Sequence, residues 1–121
     1  MKAPHWEVSR PAALAVVLAL AGCAAPEQVA DSGEQYAFQV ARTPYAAAIC
    51  IGRNAKMRLG TAGEERTLGE SGMEVVVRGS GGVLAVAKIL REGTFSSVNI
   101  LVTRMIGSDR SGFARALVAG C

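Results

Sequence analysis

The sequence predicts an α+β domain, a two-layer sandwich in which an antiparallel sheet of three or four strands carries an N-terminal and a C-terminal helix on one face. Three observations predict it. Apolar residues recur at helical spacing from Tyr45 to Ala55. From Met73 the period changes to two, across three runs rich in Val, Ile and Leu. Behind Asp109 the spacing becomes helical again.

The chain opens with a cationic stretch holding Lys2 and Arg10, an apolar run from Ala12 to Leu20 and then small residues. This is the three-part order of a secretory leader, residues 1–22. The run is too short for a bilayer, which needs about 20 apolar residues. From Cys23 to residue 42 the chain reads as a tether. Pro26, Gly33, Glu27, Asp31 and Glu34 interrupt any sustained apolar period, although Tyr36 to Val40 fits a short strand. The domain is expected over 43–121.

Its first helix starts at Thr43-Pro44, with Thr as N-cap and Pro at the first helical position, and runs to about Lys56. Tyr45, Ala48 and Ile49 form its stripe, widened by Ile51 and Ala55, while Arg53 and Lys56 suit the negative end of the helix dipole. Gly52 is either a close-approach point or a weak spot. Residues 57–72 read as loop with a short strand near Arg66 to Leu68.

Three strands follow at Met73–Arg78, Val83–Leu90 and Phe95–Met105. Gly79-Ser80-Gly81-Gly82 and Arg91-Glu92-Gly93-Thr94 separate them, as in a meander with two hairpins. In the last strand Val98, Ile100 and Val102 oppose Ser97, Asn99 and Thr103, so one face is covered and the other is wetter. The final helix, Arg110 to about Ala119, is capped by Asp109 and carries Phe113, Ala116, Leu117 and Gly120 as its stripe.

Composition narrows the chemistry. The net charge is +3 over 121 residues, and aromatics make up 5 %. Lys2, Arg10 and Glu7 belong to the leader, so the remainder is only weakly basic. It lacks the concentrated cationic face of a nucleic-acid binder, and no nucleic-acid partner is expected. His5 and Trp6, the sole His and Trp, also lie in the leader. Without histidine the domain cannot build a Ser-His or Cys-His nucleophile or an ordinary zinc site. Catalytic residues, a metal site and a cofactor are all expected to be none. The reading from a different class is a small hydrolase or redox protein using carboxylates or Cys50.

Three cysteines in an exported chain leave one over. If Cys23 is modified, Cys50 and Cys121 are free to pair. A disulfide between neighbouring helices would then join the start of the domain to its end, stabilising it by about 4 kcal/mol in the chain-entropy account. The alternative is a redox-active pair or a reactive Cys50, although neither a Cys-x-x-Cys spacing nor a His is present to lower a thiol pKa.

Other patterns have functional and plainer readings. Gly79–Gly82 looks like a phosphate loop but lacks the Gly-Lys-Ser/Thr ending, and it sits between strands, where a hairpin turn belongs. Glu64-Glu65 is either a carboxylate pair for acid–base or cation chemistry or solvated charge. Arg78, Lys88, Arg91 and Arg104 form either a basic patch for an acidic envelope polymer or charged protection of strand ends. The wetter face with Asn99 and Thr103 is a second place for a protein partner.

Leu20-Ala21-Gly22-Cys23, directly after the apolar run, resembles the lipobox read by the lipoprotein signal peptidase. The resemblance implies a diacylglycerol thioether on Cys23, cleavage before it and acylation of the new amino terminus. The plainer alternative is an ordinary leader cut after Ala21 or Ala25. Two or more acyl chains hold a protein almost permanently on a membrane. In Gram-negative lipoproteins an Asp after the lipidated Cys favours inner-membrane retention. Here Ala24 holds that place, which implies the outer membrane, facing the periplasm; the alternative is a Gram-positive surface.

Further on, Thr43 to Ala55, Met73 to Arg78 and the closing Ala119-Gly120-Cys121 resemble small proteobacterial lipoproteins of uncharacterised function. That resemblance supports the layout and the cysteine pairing and supplies no activity. The expectation is a non-catalytic, lipid-anchored envelope protein that binds a protein or an envelope polymer.

Overall fold

A computed structural model describes residues Gly33–Cys121. The expected leader, the cleavage residues Leu20, Ala21 and Gly22, the lipidated Cys23 and the tether up to Ser32 lie outside the described residues. Strand β1 (Gly33–Val40) leads into helix α1 (Pro44–Met57). Strands β2 (Ala62–Thr67), β3 (Gly72–Gly79), β4 (Gly82–Glu92) and β5 (Phe95–Thr103) follow, and helix α2 (Arg110–Val118) comes last. All strand pairs are antiparallel, in the order β1-β5-β4-β3-β2.

The α+β class with an antiparallel sheet and two helices is therefore present, with a correction to the strand count. The sheet has five strands, not three or four, and the two additional ones are its edges. The tether expected to reach residue 42 ends by Gly33, because residues 33–40 pair with β5 from Gly33↔Thr103 to Val40↔Ser96. Tyr36, Phe38 and Val40 turn toward the helices and join the core cluster. Gln35, Ala37 and Gln39, which alternate with them, are exposed, as in a half-buried strand. A strand thus precedes α1, and the domain begins about ten residues earlier than expected.

Local chemistry sets each helix end. The Oγ1 of Thr43 accepts from the amide of Ala46 at 3.3 Å, and Pro44 occupies the first turn, where its missing N–H costs nothing. Asp109 caps α2 from a left-handed conformation (φ 53°), its Oδ1 accepting from the amide of Gly112 at 3.1 Å. Two-residue turns close the β3–β4 and β4–β5 hairpins, at Ser80-Gly81 between Gly79↔Gly82 and at Gly93-Thr94 between Glu92↔Phe95. Gly93, at φ 63°, supplies the backbone such a turn requires.

The core lies between the helices and one sheet face. Ala47, Ala48, Ile51 and Ala55 of α1 and Ala114 and Leu117 of α2 meet Val75, Val77, Ala85, Ala87, Ile89, Val98, Ile100 and Val102. The α1 stripe is rotated from the expected one, since Tyr45 is 67 % exposed and Ala47 is fully buried. The reason is steric: alanines on the helix and on β4 let the two layers approach, whereas a tyrosine would hold them apart. On α2 the buried position is Ala114 and not Gly120, which is exposed.

Gly52 and Gly63 let helix and sheet approach closely. A Cβ built on Gly63 would lie 3.1 Å from the Cα of Gly52, so α1 crosses β2 backbone to backbone. Gly52 is thus a close-approach point.

Candidate functional site

The helices occupy one side of the sheet, and strand alternation places a second set of side chains on the other. Register aligns that set in rows. Glu74, Lys88 and Asn99 stand side by side on β3, β4 and β5, as do Val76, Val86 and Leu101, and then Gly72, Leu90 and Ser97. Over β4 and β5 these rows border a groove of about 390 Å³ lined by Gln35, Glu74, Val86, Lys88, Leu90, Ser97, Asn99 and Leu101. Leu90 is 46 % exposed, high for a large apolar side chain on a sheet face. Its Cδ2 lies 3.0 Å from where a Gly72 Cβ would stand, so Leu90 leans over the line between β3 and β4.

Charge divides the face. On the β2–β3 side Glu64 accepts from Arg66 at 3.3 Å and sits 3.5 Å from Arg78, and Arg66 reaches Glu74 at 3.9 Å. These long side chains make a ridge of both signs beside the groove. Lys88 stands in the groove and has no ion-pair partner among the described residues. The Glu74 side chain next to it is only 19 % exposed. The hydroxyl of Ser97 donates to the Leu90 carbonyl at 3.5 Å, and that of Thr103 to the Val83 carbonyl at 2.8 Å. Thr103, read from sequence as part of the wetter face, therefore has its donor engaged within the sheet.

The other sequence candidates fall elsewhere. Glu64 and Glu65 are neighbours in β2 and so point to opposite faces. Glu64 joins the arginine ridge, while the Oε2 of Glu65 lies beside Gly52 of α1, 2.7 Å from the position of a Cβ there. They do not form a carboxylate pair. Arg78, Lys88, Arg91 and Arg104 do not share one patch. Arg78 pairs in register with Val83 and Arg91 with Ser96, and the distance along the strand from Val83 to Arg91 is roughly 26 Å. Gly79–Gly82 is the β3–β4 hairpin turn.

Cys50 and Cys121 are bonded, with Sγ–Sγ 2.07 Å and Cα–Cα 5.9 Å, joining the middle of α1 to the segment after α2. Side chains reinforce that junction. The Nδ2 of Asn54 donates to the carbonyls of Leu117 at 2.8 Å and Ala119 at 2.9 Å, and the Nε of Arg42 donates to the Cys121 carbonyl at 2.7 Å. Asn54 went unread in the sequence. Its only signal was a polar residue one turn after Cys50 on the inner side of the helix.

A second polar cluster links β1 to α2. Arg110 donates to Glu34 Oε1 at 2.8 Å and the Tyr36 hydroxyl donates to Glu34 Oε2 at 3.1 Å. The hydrogen bond from Arg110, then that from Tyr36, hold the Glu34 carboxyl below its ordinary value of 4.5. Desolvation, then the bond to Glu34, raise Tyr36 above 10.0. Among the described residues no group of three or more His, Cys, Asp or Glu side chains is placed to hold a metal ion. No helix there is long and apolar enough to cross a membrane.

Among the described residues this face combines apolar ground, hydrogen-bonding edges and, in the groove, a lysine without an ion-pair partner. No known protein family and no curated protein matches the chain.

Proposed function

We propose that the chain is a lipid-anchored envelope lipoprotein whose domain binds a protein partner through the open face of its sheet, without catalysing a reaction. The observation that carries this reading is the groove over β4 and β5 with exposed Leu90 on its border. A sheet face turned away from the helices, with Leu, Val, Asn and Gln in its groove, suits a protein surface. A sugar polymer is favoured less, because the groove lining contains no aromatic ring to stack against a sugar. Nucleic acid is favoured less because the cations are spread over the sheet and partly neutralised by Glu64 and Glu74.

Support for the anchor is the order Leu20-Ala21-Gly22-Cys23 after an apolar run. With acyl chains on Cys23 and Ala24 behind it, the domain belongs at the outer membrane, facing the periplasm. Two measurements test this reading. Intact mass of the processed chain is expected to show a start at Cys23 carrying a diacylglycerol thioether and an acyl group; an unmodified Cys23 removes the anchor. Crosslinking in intact cells is expected to capture a protein through the groove and to lose it in Leu101→Glu. Equal capture by a folded Leu101→Glu chain removes the open face.

A further inference from the structure

We infer that the protein occupying the open face is a second copy of this chain, packed face to face about a twofold axis that runs parallel to the strands between β3 and β4. This rests on the preceding reading that the open face is the binding surface, and it names the occupant.

The register of β3 and β4 carries the argument. An axis along the line between them exchanges the two strands, so every cross-strand pair on the open face meets its own mirror order in the other copy. Glu74 is registered with Lys88, Val76 with Val86 and Gly72 with Leu90. In the pair, Lys88 of each copy stands over Glu74 of the other, which supplies the carboxylate that Lys88 lacks within its own chain. Val76 is only 5 % exposed within its own chain, so the row it shares with Val86 presents Val86 alone to the other copy. Leu90 leans across Gly72 toward the axis, so the two Leu90 side chains meet there. Opposite charges face each other twice and the exposed Leu90 side chains face each other at the axis, which is what an isologous contact requires.

Relief agrees with charge. The same axis places β2 of one copy over β5 of the other, so the ridge built by Glu64, Arg66 and Arg78 enters the partner's groove over β4 and β5. The Arg66 guanidinium then reaches the Asn99 carboxamide. Four overlapping strands, about 4.8 Å apart and about 25 Å long, bury roughly 1,000 Å² over both copies before side-chain relief is counted. That area lies near the threshold of roughly 1,000 Å² for a specific interface. Confinement of both copies to one membrane surface raises their effective concentration and favours the pair further.

The test uses the full-length chain expressed in bacterial cells, with single cysteines added to the native set. Under a membrane-permeable bismaleimide whose spacer is about 8 Å, matched to sheets packed about 10 Å apart, Leu90→Cys is expected to give a band of twice the monomer mass. Lys56→Cys, on the exposed side of α1, gives the background. Lys88→Glu added to Leu90→Cys sets Glu against Glu and is expected to lower the dimer fraction at least about fivefold. Adding Glu74→Lys as well reverses both charges and is expected to restore it. Resistance to limited proteolysis equal to that of the unsubstituted chain reports that each variant is folded.

A Leu90→Cys dimer fraction no higher than that of Lys56→Cys overturns self-pairing, as does a double reversal that fails to restore what Lys88→Glu removed. An adduct of Leu90→Cys with a different protein in place of the dimer also overturns it, yet leaves the open face as the binding surface. Absence of any adduct at the face, from this position and in the Leu101→Glu comparison, removes both readings.

Discussion

The carboxamide of Asn54 spends both of its N–H groups on the end of α2, donating to Leu117 and Ala119 carbonyls, while its Oδ1 accepts from Arg58 Nε at 3.1 Å. The Leu117 carbonyl belongs to the last turn of α2, where no intrahelical donor remains for it, and Ala119 is the residue directly after the helix. Asn54→Ala leaves both carbonyls unpaired and is expected to cost about 1–3 kcal/mol. Urea unfolding with the disulfide intact measures it. A change below about 0.5 kcal/mol would mean that water replaces the carboxamide.

The Cys50–Cys121 bond closes a loop of 71 residues. Removing it with Cys50→Ser and Cys121→Ser together is expected to cost about 4 kcal/mol, largely by freeing the unfolded chain. Far-ultraviolet circular dichroism in the absence of denaturant should still show sheet and helix, since Asn54 and the core hold α2 in place. If the folded double variant keeps the crosslink proposed for the open face, the bond is structural; loss of that crosslink by a folded variant points to a role for the thiols.

Gly52 and Gly63 face each other but tolerate a methyl group differently. A Cβ on Gly52 meets the mobile end of Glu65, which swings away easily, and Ala relieves the helix of about 1 kcal/mol of glycine cost. A Cβ on Gly63 meets the α1 backbone instead. Gly52→Ala is therefore expected to leave the melting temperature unchanged or higher, and Gly63→Ala to lower it. The reverse order would show that the layers do not meet at this contact.

Arg110 and Tyr36 hold Glu34 below 4.5 by hydrogen bonding to its charged form. A folded-state pKa below the unfolded one gives stability that is present above about pH 4.5 and lost as pH falls through the folded value. Tyr36 is displaced the opposite way, so its contribution is present below pH 10.0 and lost as pH rises through the folded value. Carboxyl carbon shifts followed by NMR are expected to place Glu34 below 4.5 in the native chain. In Arg110→Met it should move back toward 4.5. An unchanged titration in that variant would remove the Arg110 contact.

Elements with a complete local signal were readable in advance. Thr43-Pro44 marked the first helix, Asp109 the last, and three Val/Ile/Leu runs between Gly-rich turns marked β3, β4 and β5. The edges were not. The six residues of β2, Ala-Gly-Glu-Glu-Arg-Thr, bury almost no apolar side chain, because one face carries the ion pairs of Glu64 and Arg66 and the other meets α1 through Gly63. Its strand character comes from pairing with β3 and not from its own pattern. β1 shows its alternation over only five residues, behind a polar segment that conceals it.

The sequence by itself determined the helices, the central meander, the covered face of β5 and the resemblance of the first 23 residues to a lipoprotein leader. Periodicity and caps are short-range properties that one turn or one strand expresses alone. Only the tertiary structure decided that β1 closes the sheet on β5, that Glu64 and Glu65 part to opposite sides, and that Glu74 and Lys88 stand as neighbours on the face turned away from the helices. Each of these depends on which strands pair and in what register. Hydrogen bonds between residues up to 70 positions apart set that register, and no local pattern records it.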